Sequence, residues 1–275
     1  MMKLISGKTG RLIFNVMTFS IIIPTLNEAA NIERCLLALQ PLRDCAEVIV
    51  VDGGSVDNTV ELATPYADKI LLSGRGRARQ MNQGAQQATG DILLFLHADT
   101  ALPEQALSLI AHAITPQQLW GRFDIRLCGE ETSAVCATRR VATAFPRGAW
   151  ERDKLGAWEL EFSLNIIAFM MNWRSRFTGI CTGDQVLFVT QSAFIAVGGY
   201  PEIALMEDIA FSRALKKLSR PVCLTAKVTS SARRWQQHGI YKTILLMWSL
   251  RLRYWLGQDP QYLAELYHTG SLWKR

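Results

Sequence analysis

The chain has 275 residues, of which 49% are hydrophobic, and a formal net charge of +6. This length and composition allow a full buried core, either in one large α/β domain or in a domain with an appendage. The positive charge favours an anionic ligand, nucleic acid or an acidic membrane surface, without choosing among them. No run of about 18 apolar residues occurs, so a membrane-spanning helix is not expected.

The N-terminal segment 1–16 does not have the pattern of a secretion signal, because Lys3, Lys8 and Arg11 interrupt its short apolar pieces. Met17 stands directly before the first convincing strand, so residues 1–16 are expected to be an extension or a mis-called start. The six cysteines form no CxxC pair and show no metal-like spacing, which suits a cytoplasmic protein. The expected location is the cytoplasm, with the inner face of the cell membrane as the place of any membrane contact.

The first hundred residues alternate between strand and helix patterns. Apolar runs predict strands at 19–24, 47–51, 69–72 and 92–96, and the segment 74–87 predicts a basic helix. A helix capped by Asn27 is expected to bury Ile32, Cys35, Leu36 and Leu39. This alternation indicates a parallel sheet with right-handed crossovers, and therefore a nucleotide-binding half.

The rest of the chain is less regular. Helices are expected at 104–114, 207–218 and 236–256, strands at 184–189 and 221–225, and a helix with a mobile loop around 145–148 within 129–155. In the segment 121–127, Arg122, Asp124 and Arg126 alternate with apolar residues, which predicts an antiparallel strand with one solvated face. We predict one mixed-sheet domain over 17–230, followed by a helical segment over 231–275 packed on the domain or on a membrane surface.

Acidic residues stand where a parallel sheet would bind a ligand. Asp52 and Asp99 each follow a buried strand, and Glu207 with Asp208 opens a helix. Carboxylates there could contact a base or sugar, hold a cation and remove a proton, as a group-transfer site requires. Each could equally serve a helix N-terminus, so for Asp99 alone capping and metal binding both remain open.

Six stretches, in a fixed order, closely resemble the motifs of the inverting family 2 glycosyltransferases of the GT-A fold. They are PTLNEA at 24–29, VVDGGSVDNT at 50–59, GDILLFLHADT at 90–100, GGY at 198–200, ED at 207–208 and RRW at 233–235. The sequence His-Ala-Asp-Thr at 97–100 is most similar to that of a small bacterial subgroup of these glycosyltransferases. The resemblance spans about residues 19–235. It implies a GT-A type nucleotide-diphospho-sugar transferase fold, in which helices flank a mixed, mostly parallel central sheet and further helices follow at the C-terminus.

The resemblance also implies roles on the donor side. Pro24, Asn27 and Glu28 would line the nucleotide pocket, and Asp52 would accept a hydrogen bond from the base, typically from uracil N3. Asp57 is expected to cap a helix or support the loop.

The His-Ala-Asp-Thr stretch carries the implied metal site. Asp99, after Ala98, matches the metal-binding residue of the family's Asp-x-Asp motif, with Mg²⁺ or Mn²⁺ bridging the two phosphates. His97 replaces the first aspartate of that motif. Its imidazole can donate to a ribose hydroxyl or a phosphate but cannot replace a carboxylate's charge, and packing in the core is the alternative.

The catalytic and acceptor residues follow from the same resemblance. Asp208, beside Glu207, matches the general base, which implies attack from the opposite face and inversion. Arg234 would contact phosphate and Trp235 would lie beneath the acceptor or sugar. The loop of Gly183, Asp184 and Gln185 resembles the acceptor-side loop, with Asp184 orienting donor sugar or acceptor, although a turn role is also open.

Basic residues outside these motifs give weaker predictions. Arg75 or Arg79, together with Asn82, is expected near the diphosphate or sugar, and Arg77 is expected in solvent. His238 could be an additional metal or phosphate ligand.

The predicted function is transfer of a sugar from a nucleotide-diphosphate-sugar, expected to be a UDP-sugar, to an acceptor hydroxyl. The apolar, aromatic C-terminal third suits a lipid-like acceptor, such as an isoprenoid or carotenoid, and peripheral membrane contact. Nucleic acid is not expected as a partner. Two alternatives remain: a basic RNA- or anionic-lipid-binding protein, and a sugar-phosphate nucleotidyltransferase. RNA binding would be strongly salt-dependent, and the nucleotidyltransferases carry a glycine- and lysine-rich loop where this chain has PTLN.

Overall fold

The computed structural model describes residues 2–5, 13–129 and 152–269. The loop predicted around 145–148 lies outside the described residues, as does most of the helix predicted within 129–155. A central eight-stranded sheet dominates the described structure, and residues 2–5 and 13–16 form a separate two-stranded antiparallel sheet. The strands are β1 (Met2–Ile5), β2 (Ile13–Val16), β3 (Phe19–Thr25), β4 (Ala46–Asp52), β5 (Lys69–Leu72), β6 (Ile92–Phe95), β7 (Thr100–Ala101), β8 (Trp120–Cys128), β9 (Leu187–Thr190) and β10 (Val222–Ser231).

The described helices surround this sheet. They are α1 (Ile32–Leu39), α2 (Thr59–Ala63), α3 (Arg77–Gln87), α4 (Ala106–Ala113), α5 (Arg152–Thr178), α6 (Gln191–Ala196), α7 (Glu207–Leu215), α8 (Arg233–His238), α9 (Ile240–Trp255) and α10 (Pro260–Thr269). Within the described residues, no helix is long and apolar enough to cross a membrane.

The strand order in the large sheet is β5-β4-β3-β6-β9-β8-β10-β7. Strands β3 to β6 are mutually parallel, β9 runs antiparallel to both β6 and β8, and β8 is parallel to β10. The sheet is therefore mixed and mostly parallel, as predicted. Because β3, β4 and β6 are parallel, their C-terminal ends meet at one edge of the sheet, where ligands bind in such folds.

Both faces of the parallel half are buried. Ile21 packs on one face with α1 and α4, whereas Ile22, its neighbour in β3, packs on the other face with α3. Gly84 allows α3 to approach closely, because a Cβ atom there would lie 2.5 Å from Ile22 Cγ2. Burial on both faces explains why these strands are continuous apolar runs rather than alternating ones.

The prediction of a solvated face on β8 is wrong. Arg122 is 1% exposed and Asp124 is also buried, because α5 covers this face of the strand. Asp124 pairs with Arg122 on its own strand and with Arg176 of α5. Asn172 of α5 accepts from the Ile125 N–H and donates to the Ile125 carbonyl. The charges of Arg122 and Asp124 are thus paired with each other inside the protein.

Several predicted boundaries also differ from the structure. Helix α3 begins at Arg77 rather than Gly74, after Gly76 with φ +136°, and the predicted C-terminal helix is divided at Gly239 with φ +79°. The sequence patterns did not predict helix α10 or most of helix α5 as individual helices. Asn27 does not cap α1, because its φ is +56° and the N-cap is Asn31. The predicted strand at 184–189 begins at Leu187, after a 3₁₀ turn over Gly183–Gln185.

The buried charges give a stability prediction. Asp124→Leu leaves Arg122 without its partner in the interior, and we expect a loss of about 3 kcal/mol in the free energy of unfolding. In the double variant Arg122→Met with Asp124→Leu, the orphaned buried charge is removed, so most of that loss is expected to be recovered. Urea denaturation of the two variants tests this, and equal destabilisation of both would contradict it.

Candidate active site

A cavity of about 1680 Å³ lies beyond the C-terminal ends of β3 and β6. Helices α5, α7, α9 and α10 contribute to its other walls. Many of the residues predicted from the sequence line it: Pro24, Glu28, Arg75, His97, Ala98, Asp99, Gly183, Asp184, Glu207, Asp208 and Trp235. The structure therefore brings residues from six separate parts of the chain together around one space.

Asp99 occupies a tight turn directly after β6. The N–H of Thr100 donates to the His97 carbonyl at 3.0 Å and closes this turn. The Thr100 hydroxyl donates to Asp99 Oδ1 at 3.3 Å. Helix α4 begins only at Ala106, with Gln105 as its N-cap, so Asp99 does not cap it. Of the two roles left open by the sequence, helix capping is the one that the structure contradicts.

His97 lies against the loop that contains Gly183. Its side chain is 13% exposed, and Nδ1 lies 3.5 Å from Asp184 Oδ1. A Cβ atom on Gly183 would come within 2.8 Å of the imidazole Cε1 and Nε2 atoms. The ring is thus packed within the cavity wall, rather than in the hydrophobic core, and it connects the turn of Asp99 to the predicted acceptor-side loop.

The same loop contacts Asp208 at the start of α7. The Asp208 carboxylate accepts from the N–H of Gly183 at 3.1 Å and from the N–H of Ile209 at 2.7 Å. Burial, and then the charge of Glu207, raise the pKa of Asp208 to about 6. A carboxylate in this state is deprotonated at neutral pH and is a stronger base than an ordinary aspartate.

Two hydrogen bonds fix the position of the loop that contains Gly183. The Thr182 N–H donates to Gln185 Oε1 at 3.3 Å, and the Cys181 N–H donates to Ser212 Oγ of α7 at 3.1 Å. Gln185 is fully buried and holds the loop rather than lining the cavity. The Gln185 amide, which was predicted to lie on the acceptor side, therefore supports the loop and does not face the cavity.

Asp52 organises the loop after β4. It is 2% exposed, and Oδ2 accepts from the N–H groups of Gly54 at 2.9 Å and Ser55 at 2.8 Å. Oδ1 accepts from the hydroxyls of Ser55 and Thr25. Asp52 does not line the cavity in this structure, so contact between its carboxylate and a base stays a prediction.

Asn27 and Asp57 stabilise this loop and its neighbour. The Asn27 N–H donates to Ser55 Oγ at 2.8 Å, and Asn27 Oδ1 accepts from the Val56 N–H at 2.9 Å. Asp57 accepts from the N–H groups of Ala29 and Thr59, and these bonds, with that of the Thr59 hydroxyl, lower its pKa. The supporting role predicted for Asp57 agrees with these contacts. Asn27, in contrast, supports the loop from outside the cavity wall.

The basic helix α3 contributes differently from the prediction. Arg75 and Arg77 line the cavity, and Arg77 is exposed, as expected. Arg79 lies 3.4 Å from Glu202. Asn82 donates to the Tyr200 carbonyl and accepts from the Tyr200 N–H, each at 2.8 Å. Asn82 therefore fixes the Gly-Gly-Tyr loop, and neither Asn82 nor Arg79 lines the cavity.

Sequence reasoning missed Gln80 and Arg174. Gln80, a buried amide of α3 that lines the cavity, donates to the Thr25 carbonyl at 2.7 Å and the Val51 carbonyl at 2.8 Å. Arg174 enters the cavity from α5. The amide-rich composition of the segment 74–87 could have indicated a role for Gln80. No feature of the neighbouring sequence distinguishes Arg174 from Arg176.

The Arg-Arg-Trp element reaches the cavity through its first and last residues. Arg233 Nη2 lies 3.8 Å from Glu28 Oε1, and both Arg233 and Trp235 line the cavity. The side chains of Arg234 and His238 lie outside the described part of the structure, so their predicted contacts remain predictions.

The donor set around Asp99 fits a metal ion that arrives with a phosphate ligand. Among the described residues there is no group of three or more His, Cys, Asp or Glu that could hold a metal ion alone. Mg²⁺ sites commonly use one or two carboxylates and complete the shell with water and substrate phosphates. Asp99, partly exposed at the cavity wall, meets that requirement.

The packing of His97 gives a second prediction. Gly183→Ala is expected to displace the imidazole, because the new methyl group would lie 2.8 Å from two ring atoms, and to lower the thermal unfolding midpoint. His97→Ala removes the ring and is expected to make Gly183→Ala nearly neutral. A double-mutant cycle by thermal unfolding checks this coupling, and additive effects would rule it out.

The family model described as "Glycosyl transferase family 2" matches residues 20–179. The chain is 43% identical over 95 residues to "PGL/p-HBAD biosynthesis glycosyltransferase" of Mycobacterium bovis, covering 31% of this chain and 37% of that protein. It is 34% identical over 105 residues to "Undecaprenyl-phosphate 4-deoxy-4-formamido-L-arabinose transferase" of Yersinia pestis, covering 34% and 32%. The matches thus span about a third of these relatives.

Two solved structures share the fold. S. aureus TarS 1–349, in complex with UDP-GlcNAc, matches 79% of this chain and 59% of its own, with 20% identity and a TM-score of 0.54. The mannosyltransferase PcManGT from Pyrobaculum calidifontis, in complex with GDP-Man and Mn²⁺, matches 94% and 70%, with 19% identity and a TM-score of 0.55. At this identity the likeness extends to the fold, which is that of the GT-A type transferases.

Proposed function

Because the chain belongs to glycosyl transferase family 2 and is a glycosyltransferase, we propose that it moves a sugar from a nucleotide-diphosphate-sugar to an acceptor hydroxyl with inversion. A UDP-sugar is the proposed donor. The observation that carries the proposal is the arrangement of two carboxylates: Asp99 and Asp208 line one cavity, and His97, Gly183 and Asp184 connect them. The proposed catalytic domain is 17–230, with 231–275 as a helical segment packed on it or on a membrane.

The donor half of the proposed site lies at the ends of β3 and β6. Pro24 and Glu28 line it, and the loop held by Asp52 and Asn27 borders it. Arg75 and Arg77 supply positive charge for the diphosphate. Both side chains are exposed, so they lose hydration only when the donor binds.

Asp99 is the proposed ligand of Mg²⁺ or Mn²⁺. A bound divalent cation would neutralise charge on the departing diphosphate. A single carboxylate at the end of a rigid strand is suited to holding a cation jointly with two phosphate oxygens. His97 would donate from its imidazole to a ribose hydroxyl or a phosphate oxygen, while its packing against Gly183 keeps the ring in place.

Asp208 is the proposed general base, with Glu207 beside it. The acceptor oxygen forms a bond to the anomeric carbon as the bond from that carbon to the diphosphate oxygen breaks. The hydroxyl proton goes to Asp208, and the electron pair leaves with the diphosphate. Attack from the face opposite the leaving group gives inversion. The raised pKa of Asp208, about 6, suits proton removal at neutral pH.

The acceptor is proposed to be lipid-like, with peripheral membrane contact near the site. Helices α5 and α9 expose large apolar side chains, including Phe169, Trp173, Trp248 and Trp255. The name of one relative includes undecaprenyl-phosphate, a lipid-linked phosphate. Amphipathic aromatic residues beside cations are typical of surfaces that lie in a membrane interface.

The role of Asp99 leads to a prediction about metal and donor. In Asp99→Ala we expect loss of Mn²⁺-dependent nucleotide-sugar binding, because the remaining ligands of the cation would be phosphate oxygens and water. Asp44→Asn is the matched control, because Asp44 is exposed and does not line the cavity. This variant should behave as the parent chain. Calorimetric titration of UDP-sugars with and without Mn²⁺ measures this. Unchanged binding in Asp99→Ala would refute the assignment.

The role of Asp208 leads to a pH prediction. Only the deprotonated carboxylate accepts a proton, so kcat/KM should fall about tenfold per pH unit below pH 6. Glu207→Gln removes the repelling charge and should move this limb to lower pH. Asp208→Asn should lower kcat by roughly 10²- to 10⁴-fold without weakening donor binding. Glycosyl-transfer rates from pH 4.5 to 8 test the parent chain and both variants, and a limb that persists in Asp208→Asn would exclude Asp208 as its source.

A further inference from the structure

Two arginines that line the cavity have guanidinium nitrogens without a hydrogen-bond partner. The Nε and Nη2 atoms of Arg174 on α5 are buried and have no hydrogen-bond partner, and the same is true of Nε of Arg251 on α9. Both residues line the cavity described above. Neither was singled out by the sequence motifs, and neither has a part in the proposed donor site.

Unpaired guanidinium donors are costly in the interior. Arginine stays protonated, so burial removes its hydration without removing its charge. Burial lowers the pKa of Arg174, while the carboxylates of Asp208 and Asp184 act in the opposite direction. Arg122 also has a buried Nε atom without a hydrogen-bond partner, but its Nη1 atom pairs with Asp124. Because Arg174 and Arg251 line the cavity, an anionic ligand bound there would compensate the partial desolvation of their charges.

The surroundings of these donors are apolar. Ile166, Met170 and Trp173 of α5, with Trp248 of α9, line the cavity. The same four residues are 48%, 50%, 57% and 64% exposed, respectively. The apolar part of the cavity lining is thus continuous with exposed apolar surface on the two helices. A ligand that occupies it needs a hydrocarbon part as well as a group that accepts from guanidinium donors.

We propose that Arg174 and Arg251 form a binding site for the anionic head group of an amphiphilic acceptor. The head group, a phosphate or a carboxylate, accepts from the two guanidinium groups, and the hydrocarbon part lies along α5 and α9. This inference rests on the proposed function and names the substrate class of its acceptor half. The residues proposed here differ from those assigned to the donor diphosphate, which are Asp99, Arg75 and Arg77.

The test compares ligands that share a hydrocarbon tail. Dodecyl phosphate, dodecanoate and dodecanol, each below its micelle-forming concentration, are titrated into the full chain by calorimetry without any donor. We expect one of the two anionic probes to bind at least about tenfold more tightly than dodecanol, since charge-assisted hydrogen bonds contribute on that scale. The stronger anion identifies the head group, and inorganic phosphate alone should bind weakly.

Variants locate the binding to the two arginines. Arg174→Gln and Arg251→Gln are each expected to weaken the anionic probe about tenfold and to leave dodecanol unchanged. Arg253→Gln is the matched control, because Arg253 lies on the same helix but bonds to Ser249 and Gln258. Arg174→Lys keeps the charge and should retain part of the preference, which distinguishes a lost contact from a misfolded chain.

Three results would overturn the inference: equal affinity for the anions and dodecanol, an equal loss in Arg253→Gln, or unchanged anion binding in both glutamine variants. Failure of the proposed function has a different signature. If no nucleotide sugar binds or is hydrolysed but the anion preference depends on Arg174, the transferase assignment fails and the anion site remains. If the donor binds normally without any anion preference, only the acceptor assignment fails.

Discussion

The spacing of the proposed catalytic groups depends on the packing of four aromatic rings. Phe95 ends β6 just before the turn of Asp99, and Phe211 belongs to α7, which carries Asp208. Tyr200 stacks on Phe211 at 3.9 Å and meets the edge of Phe95 at 4.9 Å, and Phe194 contacts all three. Each such pair stabilises by about 0.5–1.5 kcal/mol beyond area burial. The cluster therefore ties the strand of the proposed metal ligand to the helix of the proposed base.

Around this rigid cluster the site contains local strain. Asn27, Val186 and Met206 are non-glycine residues with positive φ, at 56°, 48° and 71°, a conformation that costs about 1–3 kcal/mol each. Asn27 lies in the predicted nucleotide loop, Val186 follows the loop of Gly183, and Met206 precedes Glu207. The desolvation that raises the pKa of Asp208 is a similar cost. The hydrophobic packing on both faces of the sheet offsets these costs and holds the loops in their functional conformation.

Local sequence patterns were sufficient to predict the strands in the parallel half of the sheet. They were not sufficient to predict much of the rest of the structure. Ile92–Phe95 and Lys69–Leu72 could be predicted because a strand buried on both faces is a continuous apolar run. The burial of Asp124 could not, because its partner Arg176 comes from a distant helix. Asp99 and Asp208 were found through ordered motifs. Arg174 carries no such signal, since its importance arises from what surrounds it in three dimensions.

The distribution of cations along the cavity follows from the cost of burying charge. Arg75 and Arg77 are exposed, so they keep their hydration until a diphosphate binds, and the donor is the species with enough charge to replace it. Arg174 is already desolvated in the folded chain. It gains more from an incoming anion because less water has to be displaced. In the proposed site, the exposed cations would meet the donor diphosphate and the buried Arg174 would meet the acceptor head group. The division between exposed and buried cations thus gives a physical reason for the proposed binding of two substrates in one cavity.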